Sequence, residues 1–217
     1  MSRFAVIGLG KFGSHVAETL HGKGHEVVGI DADKGRVQDM RDRCSQAIVA
    51  DCTDVDTLRA LGIADAEAVV VSLGERMDAS ILVTLYLREL GARRIVAKAV
   101  SPDHGKILHL IGATEVVHPE RDSAVRLASA LGTRSILEYL PIGVGFSLLE
   151  LKAPKSFVGR TVGELDIRAR FHVLVVAVKK GESLDLVPGA AYRVEEGDIL
   201  VLIGKDHDLD GVARLCA

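Results

Sequence analysis

Short runs of β-branched and aliphatic residues alternate along the first half of the chain with longer stretches whose apolar positions recur every three or four residues. RFAVIG at 3–8, VVGID at 27–31, AIVA at 47–50, AVVVS at 68–72, RIVAKA at 94–99 and EVVH at 115–118 predict six strands. Between them the spacing predicts helices over 12–23, 34–43, 54–61, 77–90 and 102–110. Strand and helix in strict alternation imply right-handed crossovers and a parallel sheet covered on both faces. The fold class expected is α/β, a doubly wound parallel sheet of Rossmann type, followed by a small α+β domain.

The rhythm changes after Pro119. Residues 120–132 predict one more helix, continuing towards Leu140, and PIGVG at 141–145 reads as a linker or hinge. FSLLELKA alternates as a strand does. Thr161 and Glu164 have the spacing of a capping box at the head of a helix over 161–170. VLVVAVK, a turn at 180–182, and SLDLVP predict a hairpin. Residues 195–204 predict a turn and a last strand, and 206–215 a closing helix. The domains expected are 1–140 and 141–217.

Composition narrows the classes. Apolar residues make up 48% and aromatics 4%, so aliphatic side chains must fill the core. A net charge of −3 forces no broad basic surface on the fold, and nucleic acid is not expected as a partner. Cys44, Cys52 and Cys216 are odd in number and form no CxxC pair, which suggests neither a disulfide framework nor a zinc site. Free thiols fit a reducing cytoplasm. The N-terminus leads straight into the first strand, so no leader peptide is expected. No apolar run approaches the ~20 residues of a membrane helix, so direct membrane insertion is not expected.

Chemistry concentrates in AVIGLGKFGSH at 5–15. Gly8, Gly10 and Gly13 make GxGxxG, a weak signal alone. Here it follows a strand, opens a helix, and is answered by Asp31 at the end of the second strand, 18 residues after Gly13. Gly8 suits the tight turn, Gly10 the approach of a phosphate, and Gly13 close helix packing. Asp31 would accept from ribose hydroxyls and repel a 2′-phosphate, which disfavours NADP. Beyond the carboxyl ends of the other strands lie Asp51, Ser72, Lys98 and His118. Asp51 reads either as an acceptor for an adenine amino group or as a helix cap. Lys98 reads as a partner for ligand phosphate or a carboxylate, or as an edge lysine reaching water. Glu120 reads as a carboxylate placed in a helix dipole, or as one facing a cation or a neighbouring subunit. The histidines show no ligand spacing.

These residues resemble a known family, the KtrA/TrkA-type RCK (KTN) regulatory subunits of bacterial potassium uptake channels. The resemblance spans essentially the whole chain. It rests on AVIGLGKFGSHVAETLHGKGHEVVGIDAD, EAVVVSLG, MDASILVTLYLREL, IVAKA, GATEVVHPERD and VGELDIRARF. It implies a homodimer assembling to an octameric ring on the cytoplasmic face of a KtrB/TrkH-type membrane channel subunit. It implies that ATP or ADP, and in some members NAD(H), binds the first domain, with ATP favouring conduction. Gly8, Gly10, Lys11, Phe12, Gly13, Asp31, Asp33, Asp51, Ser72, Lys98 and Glu120 are the binding residues expected from motif and resemblance together. Lys11 stands where the family has a basic residue, usually Arg, that reaches the terminal phosphate; Lys lacks the guanidinium fork. Glu120 matches a family acid near that phosphate, sometimes with Mg²⁺ or another divalent cation. Arg168, Ala169 and Pro188 match positions that bind cyclic di-AMP in some members. The other readings are an NAD(H)-binding redox sensor of another transporter and an NAD-dependent oxidoreductase.

Overall fold

A computed structural model describes residues 1–132 and 136–216; the side chains at 129, 130, 132 and 216 are outside the description. The chain divides into two compact units, Met1–Pro119 and Glu120–Ala217.

In the first unit β1 (Arg3–Ile7), β2 (Glu26–Asp31), β3 (Gln46–Val49), β4 (Ala68–Val71), β5 (Ile95–Lys98) and β6 (Glu115–Val117) form one sheet in the order β3-β2-β1-β4-β5-β6. Every pairing is parallel. The helices between them are α1 (Lys11–Gly22), α2 (Lys34–Asp39), α3 (Val55–Ala60), α4 (Met77–Glu89) and α5 (Pro102–Ile111). The strands' side chains alternate between two apolar clusters, as a period of two requires. Ala5, Ile7, Val28, Ile30, Val69 and Val71 join one cluster, with Leu58, Val83, Leu87 and Leu108 from α3, α4 and α5. Val6, Val27 and Val70 join the other, with Ala17, Val37 and Met40. Strand order reverses between β1 and β4, and the carboxyl ends there open the crevice in which such sheets bind ligands.

The boundary falls at the first residue of α6 (Pro119–Gly132); from Glu120 the second unit continues through this helix into an antiparallel sheet. Its strands are β7 (Ile136–Gly143), β8 (Phe146–Lys152), β9 (Leu174–Lys180), β10 (Ser183–Leu186) and β11 (Ile199–Lys205), in the order β10-β9-β11-β8-β7. Two expectations change here. PIGVG is no hinge: Pro141 to Gly143 end β7, and Val144-Gly145 turns the chain into β8, with Gly145 at φ 74°. The helix does not continue to Leu140, because β7 pairs with β8 across that stretch; residues 133–135 lie outside the described residues. Pro141 is tolerated because β7 is an edge strand. The single helix expected over 161–170 is two short ones, α7 (Val162–Leu165) and α8 (Ile167–Phe171), broken at Asp166 with φ 43°. The capping box is formed: Thr161 Oγ1 accepts from the Glu164 amide at 3.1 Å, and Glu164 Oε2 from the Thr161 amide at 2.8 Å. α9 (Asp206–Ala213) closes the unit over Leu149, Leu151, Phe157, Leu165 and Leu202.

One histidine is a core element. His104, on α5, is 0% exposed. The Val100 amide donates to its Nδ1 at 3.3 Å, so Nε2 carries the proton and donates to Ser80 Oγ at 2.8 Å. Ser80 in turn donates to the Met77 carbonyl at 3.1 Å. Protonating Nδ1 would lose the bond from Val100. Burial, with the nearby His118, holds the His104 pKa below its ordinary 6.5. The unfolded chain therefore takes up a proton before the folded one does. The stability His104 contributes is present above pH 6.5 and is lost as pH falls from there towards the depressed folded value. Denaturant titrations of wild type and His104→Gln at several pH values between about 7.5 and 5 are expected to show a steeper acid loss in wild type. Equal slopes would contradict the assignment.

Candidate nucleotide-binding site

The turn from β1 into α1 is shaped by the lack of side chains. Gly8 lies at φ 90°, and a Cβ there would stand 2.1 Å from the Ser72 carbonyl oxygen. A Cβ on Gly13 would stand 1.9 Å from the Gly8 carbonyl oxygen. These two glycines let the loop cross the end of β4 and let α1 sit on the loop. Gly10 differs. The nearest group to its Cβ position is Arg36 Nη1, at 3.9 Å. No protein group crowds Gly10, and that is the geometry a phosphate approaching the backbone needs. Gly10 caps α1 with no side-chain bond, and Lys11 and Phe12 open the helix. The amides of that first turn point outward with the positive end of the helix dipole.

Asp31 anchors the loop from β2. Its Oδ2 accepts from the Leu9 amide at 2.8 Å, and its Oδ1 from the Asp33 amide at 2.9 Å. Arg36 Nη1 lies 3.4 Å from Oδ2. Asp33 caps α2, accepting at Oδ1 from the amides of Gly35 at 2.7 Å and Arg36 at 3.1 Å. The Arg36 and Gly35 amide bonds hold its carboxyl below the usual range.

Beside Asp31 is a shallow open cleft, lined among others by Ile7, Ile30, Asp51, Cys52, Leu73 and Arg76. Asp51 is not the cap of α3; Asp54 is, accepting from the Asp56 amide at 3.1 Å. Asp51 Oδ1 instead accepts from the Thr53 amide at 3.0 Å and the Thr53 hydroxyl at 2.8 Å. Those two bonds, with the Arg76 charge, lower its pKa. The Cys52 thiol is pushed up to about 12 by burial and by the carboxylates of Asp51 and Asp31. At neutral pH this favours the protonated thiol.

On the other side of the loop, Lys98 Nζ lies over the Phe12 ring, 6.0 Å from its centroid. Ser72 is buried; its amide donates to the Ile7 carbonyl at 2.7 Å, so it joins the end of β4 to the end of β1, where the loop begins. The structure thus gathers Gly8, Gly10, Lys11, Phe12, Gly13, Asp31, Asp33, Ser72 and Lys98 around one turn, with Asp51 in the adjoining cleft. Glu120 heads α6 and belongs to the second unit. In that unit Arg168 lines a groove with Val162, Gly163, Asp166, Ile167 and Leu174; Ala169 and Pro188 are outside this lining.

Comparison with known proteins decides the family. Residues 4–119 match the TrkA-N domain, and residues 147–217 match the TrkA-C domain. The chain belongs to the KtrA/TrkA-type RCK family. It is 40% identical over 206 residues to Ktr system potassium uptake protein C of Bacillus subtilis (strain 168), covering 95% of this chain and 93% of that one. It is 34% identical to Ktr system potassium uptake protein A of the same organism, covering 95% and 93%. Among solved structures, the GsuK RCK domain aligns over the whole chain with a TM-score of 0.68 at 24% identity, which shows a shared fold. The GsuK channel bound to NAD gives the same TM-score at 23% identity. This RCK chain spans 48% and 39% of those two structures.

Two site residues of this RCK chain were not singled out from sequence. Arg36 follows Asp31 by five positions and reaches it only because Asp33 caps α2 and turns the chain back. Arg76 enters the cleft from the N-terminal cap of α4. The spacing D-x-D-x-x-R, an acid followed by a capping acid and a basic residue one turn on, was the available signal for Arg36.

The glycine geometry separates fold from binding. Gly8→Ala and Gly13→Ala are each expected to destabilise the first unit by ~1–3 kcal/mol or more, because backbone must move. Gly10→Ala is expected to cost only ~1 kcal/mol or less, the difference between the two residues as helix caps. Thermal unfolding of the three variants checks the order, and a Gly10 variant as unstable as the others would contradict it.

Proposed function

We propose that this chain is the cytoplasmic regulatory subunit of a potassium uptake system, and that an adenine nucleotide on the β1–α1 turn sets its state. The carrying observation is the pairing of an uncrowded Gly10 at the head of α1 with an Asp31 carboxylate at the end of β2. The relatives named as potassium uptake proteins support the system. Among the described residues no helix is long and apolar enough to cross a membrane. The membrane channel is read, as the family resemblance implies, as a subunit of KtrB/TrkH type.

In this reading the α1 amides hold phosphates, Asp31 takes the ribose, and the cleft beside Asp51 takes the base. Lys11, exposed at the first position of α1, reaches the terminal phosphate and separates ATP from ADP. Glu120, in the second unit, faces a divalent cation or a neighbouring subunit in this reading. Among the described residues no three His, Cys, Asp or Glu side chains form a metal cluster, so a divalent cation there would draw its other ligands from phosphates or a second subunit. The Arg168 groove in the second unit is the place for cyclic di-AMP. The role in this reading is regulatory, in keeping with the potassium uptake relatives: the groups around the turn bind and orient.

A nucleotide shifts the subunit only through different affinities for two states. A swing from 1:99 to 99:1 takes about 5.5 kcal/mol. One charged phosphate contact is worth ~1.5–3 kcal/mol. A homodimer repeated in an octameric ring shares the requirement among coupled sites, so each contact need supply only part of it.

Calorimetric titration with ATP, ADP, NAD and NADH, with and without Mg²⁺, tests the reading. Wild type is expected to bind ATP more tightly than ADP, and Lys11→Ala to reduce that ratio about tenfold or more. An unchanged ratio would remove Lys11 from the terminal phosphate. A preference for NADH would make the protein a redox sensor instead.

A further inference from the structure

An ionised carboxylate has about four lone-pair positions. Asp31 already accepts from the Leu9 amide at 2.8 Å and the Asp33 amide at 2.9 Å. Both amides belong to the frame of the site and stay. Arg36 Nη1, at 3.4 Å from Oδ2, occupies a third position. A ribose offers two hydroxyl donors at its 2′ and 3′ carbons. Arg36 and one hydroxyl therefore contend for the same acceptor. Asp31 is fixed, with 10% of its side chain exposed, whereas Arg36 is 55% exposed and can swing away. The guanidinium also stands 3.9 Å from the Cβ position of Gly10, at the border of ribose and phosphate ground.

A lone acid at the end of β2 repels a 2′-phosphate. An acid already paired with a mobile guanidinium does not: the cation offsets its charge and offers a planar fork to phosphate oxygens. Building on the nucleotide reading above, we propose that Arg36 sets discrimination at the ribose 2′ position and makes this site tolerate a 2′-phosphate despite Asp31. With a free 2′-hydroxyl, Arg36 yields Asp31 to the ribose. With a 2′-phosphate, Arg36 binds the phosphate. The expectation that NADP is disfavoured, drawn from Asp31 alone, is revised accordingly.

NADH and NADPH differ only at this position and serve as probes. Both are titrated into the full-length protein as wild type, Arg36→Ala and Arg36→Lys. Arg36→Ala is expected to weaken NADPH about tenfold or more while leaving NADH unchanged or tighter. Arg36→Lys is expected to restore part of the NADPH affinity, since it keeps the charge and loses the fork. An NADH:NADPH ratio that does not move in Arg36→Ala, or an equal loss of both ligands, would overturn the proposal and leave nucleotide binding standing. Absence of binding by NADH, NADPH, ATP and ADP to wild type would overturn the nucleotide reading and this inference with it.

Discussion

The close crossing of Gly8 over the end of β4 is the constraint on which the site depends. The Gly8 amide donates to the Ile30 carbonyl at 2.8 Å, and the Ser72 amide to the Ile7 carbonyl at 2.7 Å. The loop is thereby tied to β2, and the end of β1 that carries it to β4, at the point where strand order reverses. A side chain at Gly8 would push into the Ser72 carbonyl, and one at Gly13 would lift α1 from the loop. With both absent, the head of α1 stands over the crevice with its amides outward. The sheet positions the site by bringing backbone to backbone, and side chains are added afterwards.

Asp31 converts this shape into chemistry. It holds Leu9, and so the middle of the glycine loop, while remaining at the mouth of the crevice. Asp33 then caps α2 and brings Arg36 back to Asp31. Two acids and a base within six residues thus form one connected group, Asp33 capping α2, Asp31 holding the loop, and Arg36 exposed beside it. Asp51 and Thr53 repeat the pattern of a turn-fixing acid on the next strand, with Asp54 taking the cap. Lys98 and Lys11 supply cations on the other flank of the loop, one set over the Phe12 ring and one exposed to solvent.

Much of this was legible from residues alone. The six parallel strands follow from short aliphatic runs alternating with helical stretches, the pattern of a sheet covered on both faces; their order and register come from the structure. The glycine roles follow from spacing, because only backbone clearance requires that pattern. The capping box at Thr161 and Glu164 was legible for the same local reason. β7 was not. Its sequence, ILEYLPIG, carries the Pro and Gly that mark turns, and only its place at the sheet edge makes them acceptable. His104 escaped because burial of a single imidazole leaves no periodic trace; its partners Ser80 and Val100 come from other segments. Asp166 likewise breaks a segment whose composition reads as one helix.

The central claim is one of place: nucleotide sits on the turn that Gly8, Gly10 and Gly13 shape. Amide hydrogen exchange with and without ADP tests this most directly. The account predicts added protection at residues 9–14, with accompanying changes at 31–36 and 51–53. Bound ADP that leaves those amides unaltered and protects residues 162–175 instead would contradict it.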